Sequence, residues 1–294
     1  MKKMVLMLTL VSGLAGARAQ QAGLSNATLW TISGNGVTTP SYLLLAGPLC
    51  AETMQLSSKT KEALGQVGAV AMDFNLYDSK DAAKFQAYSL ATADSQRISN
   101  NLSTGEFQSF TSLMKSNGFP DALIQQVYSY KVGVVYYLLL MMNNPCGVMA
   151  NQGSYETLLR PYAKSKNIDY LVFQNADEYL AEDSRHTNDY WQQNIRYLLK
   201  NNDEIKGKLQ TEMSFYDRGN LSGLKGLYDK DRFYQLKQKD EIARKHVLLL
   251  ASRIDEQVRR KPTFIAIQLS NVLGEPSLFD LLKSKGYVVS PISE

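Results

Sequence analysis

Residues 263–290 read TFIAIQLSNVLGEPSLFDLLKSKGYVVS. Thr263 to Gln268 is a short apolar run of β-branched and aromatic side chains, the composition of a strand. Gly274-Glu275-Pro276 marks a turn, Ser277 to Lys285 reads as a helix, and Tyr287 to Ser290 as a last strand. A long helix, Lys237 to Val258, precedes them. Strand and helix in alternation predict an α/β sheet.

Further toward the N-terminus the alternation continues. Asn175 to roughly Tyr216 is polar and helical, with a break near Asn201-Asn202-Asp203. Ser154 to Lys166 is a helix ahead of the strand Ile168 to Phe173. Lys80 to Ala93, Thr104 to Asn117 and Pro120 to Asn143 read as helices, the last with Pro at its first turn and an Asn-Pro stop. Ala69 to Leu76 (AVAMDFNL) is β-like, with Asp73, Asn75 and Asp78 clustered at its end. LWTIS (29–33) and SYLLLA (41–46) flank GNGVTTP, whose Gly and Asn residues supply the positive φ of a hairpin. The architecture expected is therefore a mixed central sheet flanked by helices, with a large helical insertion in the middle. No Pro/Gly-rich linker divides the chain, so residues 20–294 are expected to form one domain.

Residues 1–19 have the form of a signal peptide. Met1-Lys2-Lys3 is a basic start, Met4 to Ala15 is apolar apart from Thr9, Ser12 and Gly13, and Ala17-Arg18-Ala19 is a small-x-small cleavage site before Gln20. Export to the periplasm or the extracellular medium follows. No Cys follows the apolar run, which argues against a lipoprotein. Val132 to Met142 is strongly apolar but too short to cross a bilayer, and is expected to be a buried core helix.

The 294 residues are 44% apolar and 20% charged, an ordinary globular composition. Lys plus Arg number 32 against 28 Asp plus Glu, a net charge of +4. Removing Lys2, Lys3 and Arg18 with the leader leaves 29 against 28, or +1. A near-neutral body gives no electrostatic case for nucleic acid. Cys50 and Cys146 are the only cysteines, and in an oxidising compartment an even pair is a disulfide candidate. The alternative is two buried small apolar side chains.

Most site signatures are missing: Walker loop, GxGxxG after a strand, GxSxG, CxxC and HExxH. Ser-x-x-Lys occurs three times without its companion motifs. His186 and His246 are the only histidines. Glu178, Glu182 and His186 share ligand-like helical spacing, but a solvated acidic face with an intrahelical pair explains them as well. His246, within ARKHVLLLASRI, reads as a partly buried helix residue.

Five segments in order resemble the TraB/GumN (PrgY, Tiki-like) family. LWTISGNGVTTPSYLLLAGPLCAET (29–53) is similar to the family opening LWxIxGxGxxxPSYLFGTIHxxC. Residues 243–289, from ARKHV to GYVV, are similar to its RNxxMxxxI…FxAVGAGHLxG…GYxV close. GAVAMDFNLYD, SYETLLRPYAKSKNIDYLVFQNADEY and SFYDRGNLSGL match the acidic strand, the AKxxxKxIxGLET segment and the YxxGDL turn between them. Cys50 and Cys146 fall where a secreted bacterial subgroup also carries cysteines.

The resemblance implies a Tiki/TraB-like hydrolase fold and a divalent metal such as Mn²⁺ or Co²⁺, since Tiki proteins are metal-dependent proteases. Two Gly-x-x-His elements would hold that metal, each Gly admitting it and each His donating an imidazole nitrogen. This chain departs at those positions. Leu45 and Pro48 stand at the first Gly and His, and Gln268 and Asn271 at the second. The GLET Glu falls on Val172, the GDL Asp on Asn220, and the RN pair on Arg244-Lys245. Asp73, in place of a Glu, and Arg244 survive, and Arg244 is expected to pair with Asp73. No metal ligand and no cofactor are expected. The chain reads as an exported protein that has lost metal-dependent hydrolase or protease activity and works by binding a protein or peptide, or as a scaffold. The alternatives are a remodelled metal-dependent peptidase using Asp73 and Asn271, and a Cys50 nucleophile, which a disulfide would abolish.

Overall fold

A computed structural model describes residues 25–74, 81–147, 153–238 and 240–293, with the side chains of 236–238 left aside. The leader, Asn75 and Asp78 lie outside these residues. Six strands build one sheet: β1 (Leu29–Gly34), β2 (Ser41–Ala46), β3 (Ala69–Phe74), β4 (Asp169–Gln174), β5 (Thr263–Gln268) and β6 (Tyr287–Pro291). Their spatial order is β4-β3-β5-β2-β1-β6. β2, β5, β3 and β4 run parallel, while β1 is antiparallel to both β2 and β6. The mixed sheet has a local cause. Gly34, Asn35 and Gly36 all take positive φ (79°, 50° and 83°), reversing the chain into the β1–β2 hairpin. The parallel strands need long crossovers, and helices supply them.

Both faces of the sheet are buried, which is why its central strands are nearly continuous apolar runs. Leu43, Leu45, Ala71, Ile265 and Ile267 belong to the larger core on one face, and Tyr42, Leu44, Val70, Met72, Phe264 and Ala266 to the smaller core on the other. Ala63 and Leu64 of the helix Ser58–Leu64, with Leu159 and Ala163 of Glu156–Lys166, cover the smaller face. The remaining long helices crowd the larger face. By strand alternation Asp73 points the same way as Ala71, into that larger side.

The helical insertion is shared between two crossovers, residues 82–166 between β3 and β4, and 176–260 between β4 and β5. The expected helix Pro120 to Asn143 is two helices, Asp121–Val127 and Val132–Met142. The residues between them are claimed by another segment: Ala91 N–H donates to the Ser129 carbonyl at 3.0 Å, Ile98 N–H to Tyr130 at 3.0 Å, and Lys131 N–H to Ser89 at 2.9 Å. Val132–Met142 is the core helix its composition predicts, burying Val132, Val135, Tyr136 and Leu139. Among the described residues no helix is long and apolar enough to cross a membrane. The polar stretch from Asn175 resolves into Ala176–Asp183, Asn188–Lys200 and Asn202–Asp217, with the expected break at Asn201. The long helix before β5 is Glu241–Arg260, begun by Asp240, whose carboxylate accepts from Ile242 N–H at 2.9 Å.

Cys50 and Cys146 form a disulfide, with their Cα atoms 5.3 Å apart. It ties the loop after β2 to the end of Val132–Met142.

Candidate functional site

Parallel strands end at a common edge, and in open α/β sheets ligands lie in the crevice outside those carboxyl ends. Here β2, β3 and β5 end beside one another and deliver Pro48, Asp73, Gln268 and Asn271. Asp73 is 4% exposed. Its Oδ1 accepts from Phe74 N–H at 2.8 Å, and its Oδ2 from Gln268 N–H at 2.7 Å and the Asn271 amide at 3.2 Å. Burial pushes the carboxyl up to about 6, partly offset by the N–H groups of Gln268 and Phe74.

Pro48, Gln268 and Asn271 line a cavity of about 570 Å³ above the strand ends. Leu45 does not reach it: the side chain is fully buried in the sheet, and its carbonyl accepts from the Tyr216 hydroxyl at 2.5 Å. The tyrosine ring lies so close over Gly47 that an added Cβ would come within 2.2 Å of it, so the backbone there admits only glycine. Val172 sits within β4, and Asn220 caps the helix Leu221–Lys230 by accepting from Gly223 N–H. Arg244 is exposed on the long helix and makes no ion pair with Asp73, contrary to the expected pairing. Helical phase is the reason. Ile242, Ala243 and His246 meet the cavity, and Arg244 is rotated past it to solvent.

The opposite wall comes from the second crossover together with Tyr136 and Tyr137 of the first. Asp183, 6% exposed, accepts from the Tyr88 hydroxyl at 2.6 Å and the Tyr137 hydroxyl at 3.0 Å. His186 lies past the end of Ala176–Asp183, with Nε2 2.7 Å from Asp240 Oδ2 and Nδ1 3.2 Å from the Asp183 carbonyl. Burial opposes its charge, but Asp240 outweighs burial and holds the imidazole above its ordinary range. Glu212, also buried, accepts from the hydroxyls of Tyr228 and Tyr234, both at 2.9 Å. The solvated face expected for Glu178, Glu182 and His186 is not there. Glu178 is held bidentately by Arg253, Glu182 accepts from the Gln174 amide at 2.5 Å, and both Glu182 and His186 line the cavity. Their ligand-like spacing fails because the helix ends before His186. No motif flags Asp183, Glu212 or Asp240; the adjacent Tyr136-Tyr137 and Tyr190-Trp191 pairs are the one compositional sign of this wall.

The residues at the strand ends do not fit the metal that the resemblance implies. Proline offers no ligand, Asn271 turns its amide donor to Asp73, and Asp73 has both oxygens engaged. Among the described residues no three His, Cys, Asp or Glu side chains are grouped to hold an ion.

A parallel-strand edge opening into a cavity makes this an α/β protein of the strand-end-crevice class. A sequence model of the TraB/PrgY/gumN family matches residues 28–291, and the chain belongs to that family. No curated protein and no solved structure matches it.

Proposed function

We propose that this is an exported TraB/PrgY/gumN-family protein that has lost metal-dependent hydrolysis and acts by binding a ligand in the strand-end cavity. The carrying observation is the state of Asp73, whose two oxygens are occupied by three donors of its own fold. A carboxylate that orients or deprotonates a metal-bound water needs lone pairs directed at that water, and three of the roughly four acceptor sites of Asp73 are taken by these donors. The nitrogen donors that would hold the metal are replaced by Pro48 and Asn271. Export is supported by the leader, and by a disulfide of the sort that persists in oxidising compartments.

Elemental analysis and calorimetry of the mature protein with Mn²⁺, Co²⁺ and Zn²⁺, beside a peptide-hydrolysis assay in the same ions, test this. The expected result is no stoichiometric metal and no metal-stimulated cleavage. Micromolar or tighter binding accompanied by hydrolysis would identify a rebuilt enzyme instead.

A further inference from the structure

We propose that the cavity receives an organic ammonium group, so that the ligand is an amine; this rests on the binding reading above. Its volume of about 570 Å³ lies within the roughly 300–1,000 Å³ of small-molecule pockets. Among the described residues four carboxylates line it, Glu182, Asp183, Glu212 and Asp240, and no lysine or arginine does. Asp240 pairs with His186 at 2.7 Å, and Glu182 Oε2 stands 3.7 Å from His246 Nδ1. Glu182, Asp183 and Glu212 are satisfied by an amide and by tyrosine hydroxyls, which leave their charge in place.

The cations that feel these carboxylates stand outside the lining, Lys131 toward Asp183 and Arg253 toward Glu182. Lys131 places its ammonium 3.8 Å above the Tyr88 ring, and Arg253 is gripped by Glu178 and the Phe173 carbonyl. His246 does not supply the missing charge. Burial pushes its imidazole down against the pull of Glu182, and its Nδ1, shielded from solvent, has no hydrogen-bond partner. Uncompensated charge in a partly enclosed, low-dielectric space favours a cation and repels an anion.

The rest of the wall is aromatic. Trp191 packs with Tyr136, Tyr137 and Tyr190 at centroid separations of 5.3, 5.5 and 4.9 Å, and all four rings line the cavity. Aromatic faces attract ammonium groups through the ring quadrupole, and interlocked rings need little reorganisation to do so. Carboxylates and rings on one wall suit an alkylammonium, whether of a free polyamine or of a lysine side chain.

Calorimetry on the mature, oxidised protein would use spermidine, N-acetyl-lysine amide, its neutral isostere N-acetyl-norleucine amide lacking the amine, and glutarate, an anion with no ammonium group. Binding is expected for an ammonium probe and not for the isostere or the anion. Tighter binding of spermidine assigns a free amine, and tighter binding of the lysine amide assigns a peptide. Asp183→Asn and Glu182→Gln should each weaken binding at least about tenfold, whereas Glu256→Gln, on the exposed face of the long helix, should not. Glu182→Gln keeps the side-chain shape, and thermal melts establish that each variant is folded. Absence of binding for both ammonium probes, equal binding of the isostere, or affinity unchanged in folded Asp183→Asn and Glu182→Gln would overturn the proposal. Metal-stimulated hydrolysis would instead overturn the functional reading, and it is measured without amine.

Discussion

Asp73 shows how one side chain can be legible by position and not by state. Its place at the end of a β-like run follows from the strand boundary, and its meeting with Asn271 is expected from the family resemblance. What it does there depends on contacts across 195 and 198 residues of chain. With its carboxyl raised to about 6 from the ordinary aspartate value of about 3.9, the folded state binds the proton more tightly than the unfolded state between those values. Stability therefore falls as pH rises through that window, by on the order of 3 kcal/mol. Asp73→Asn should flatten this slope, which denaturant melts between pH 4 and 7 would measure; an unchanged slope would assign it to other groups. Asp73→Ala leaves the Phe74 and Gln268 N–H groups and the Asn271 amide without their acceptor, and should cost about 2–4 kcal/mol near pH 4 and less as pH rises through the same window. Arg244 illustrates the converse. Its type and its helix were readable, but a rotation of one residue along the helix carried it from the cavity to solvent.

Elements with strong internal patterns match their sequence signatures closely. β5 runs over the expected Thr263–Gln268, and the β1–β2 hairpin turns on the expected Gly and Asn residues. Propensity fails where a distant segment competes for backbone groups, as at Ser129 to Lys131, whose pairing with Ser89, Ala91 and Ile98 breaks a predicted helix. The disulfide acts at this scale too, joining a post-strand loop to a helix end across 96 residues. Closing a loop of that length removes unfolded-state entropy worth about 4 kcal/mol in the chain-entropy model. Cys50→Ser/Cys146→Ser should lower unfolding free energy by roughly that amount in denaturant titrations. A loss below about 1 kcal/mol would mean that the cavity helices hold their positions without it.

For the whole molecule, the small net formal charge conceals an uneven distribution, since among the described residues the cavity concentrates carboxylates while lysines and arginines stay outside its lining. Binding chemistry thus cannot be inferred from net charge. Export carries a direct test at this scale: intact mass of material recovered outside the cytoplasm should begin at Gln20. A mature chain retaining Lys2 and Lys3 would refute cleavage after Ala19.

By itself the sequence determined the class of fold, the family, the cysteine pairing candidate and the departures at the Gly-x-x-His positions. Each is written in local pattern, as periodicity, turn chemistry or residue identity at a motif position. Only the tertiary structure decided that Asp73 is closed off by its own fold, that Arg244 faces water, and that Glu182, Asp183, Glu212 and Asp240 share one aromatic-walled cavity. Those carboxylates come from three separate stretches of chain, Glu182 with Asp183 on one helix, Glu212 on another and Asp240 at the start of a third, and their meeting depends on how the crossovers pack on the sheet. Side-chain contact across such distances is set by packing of the whole, which no local pattern encodes.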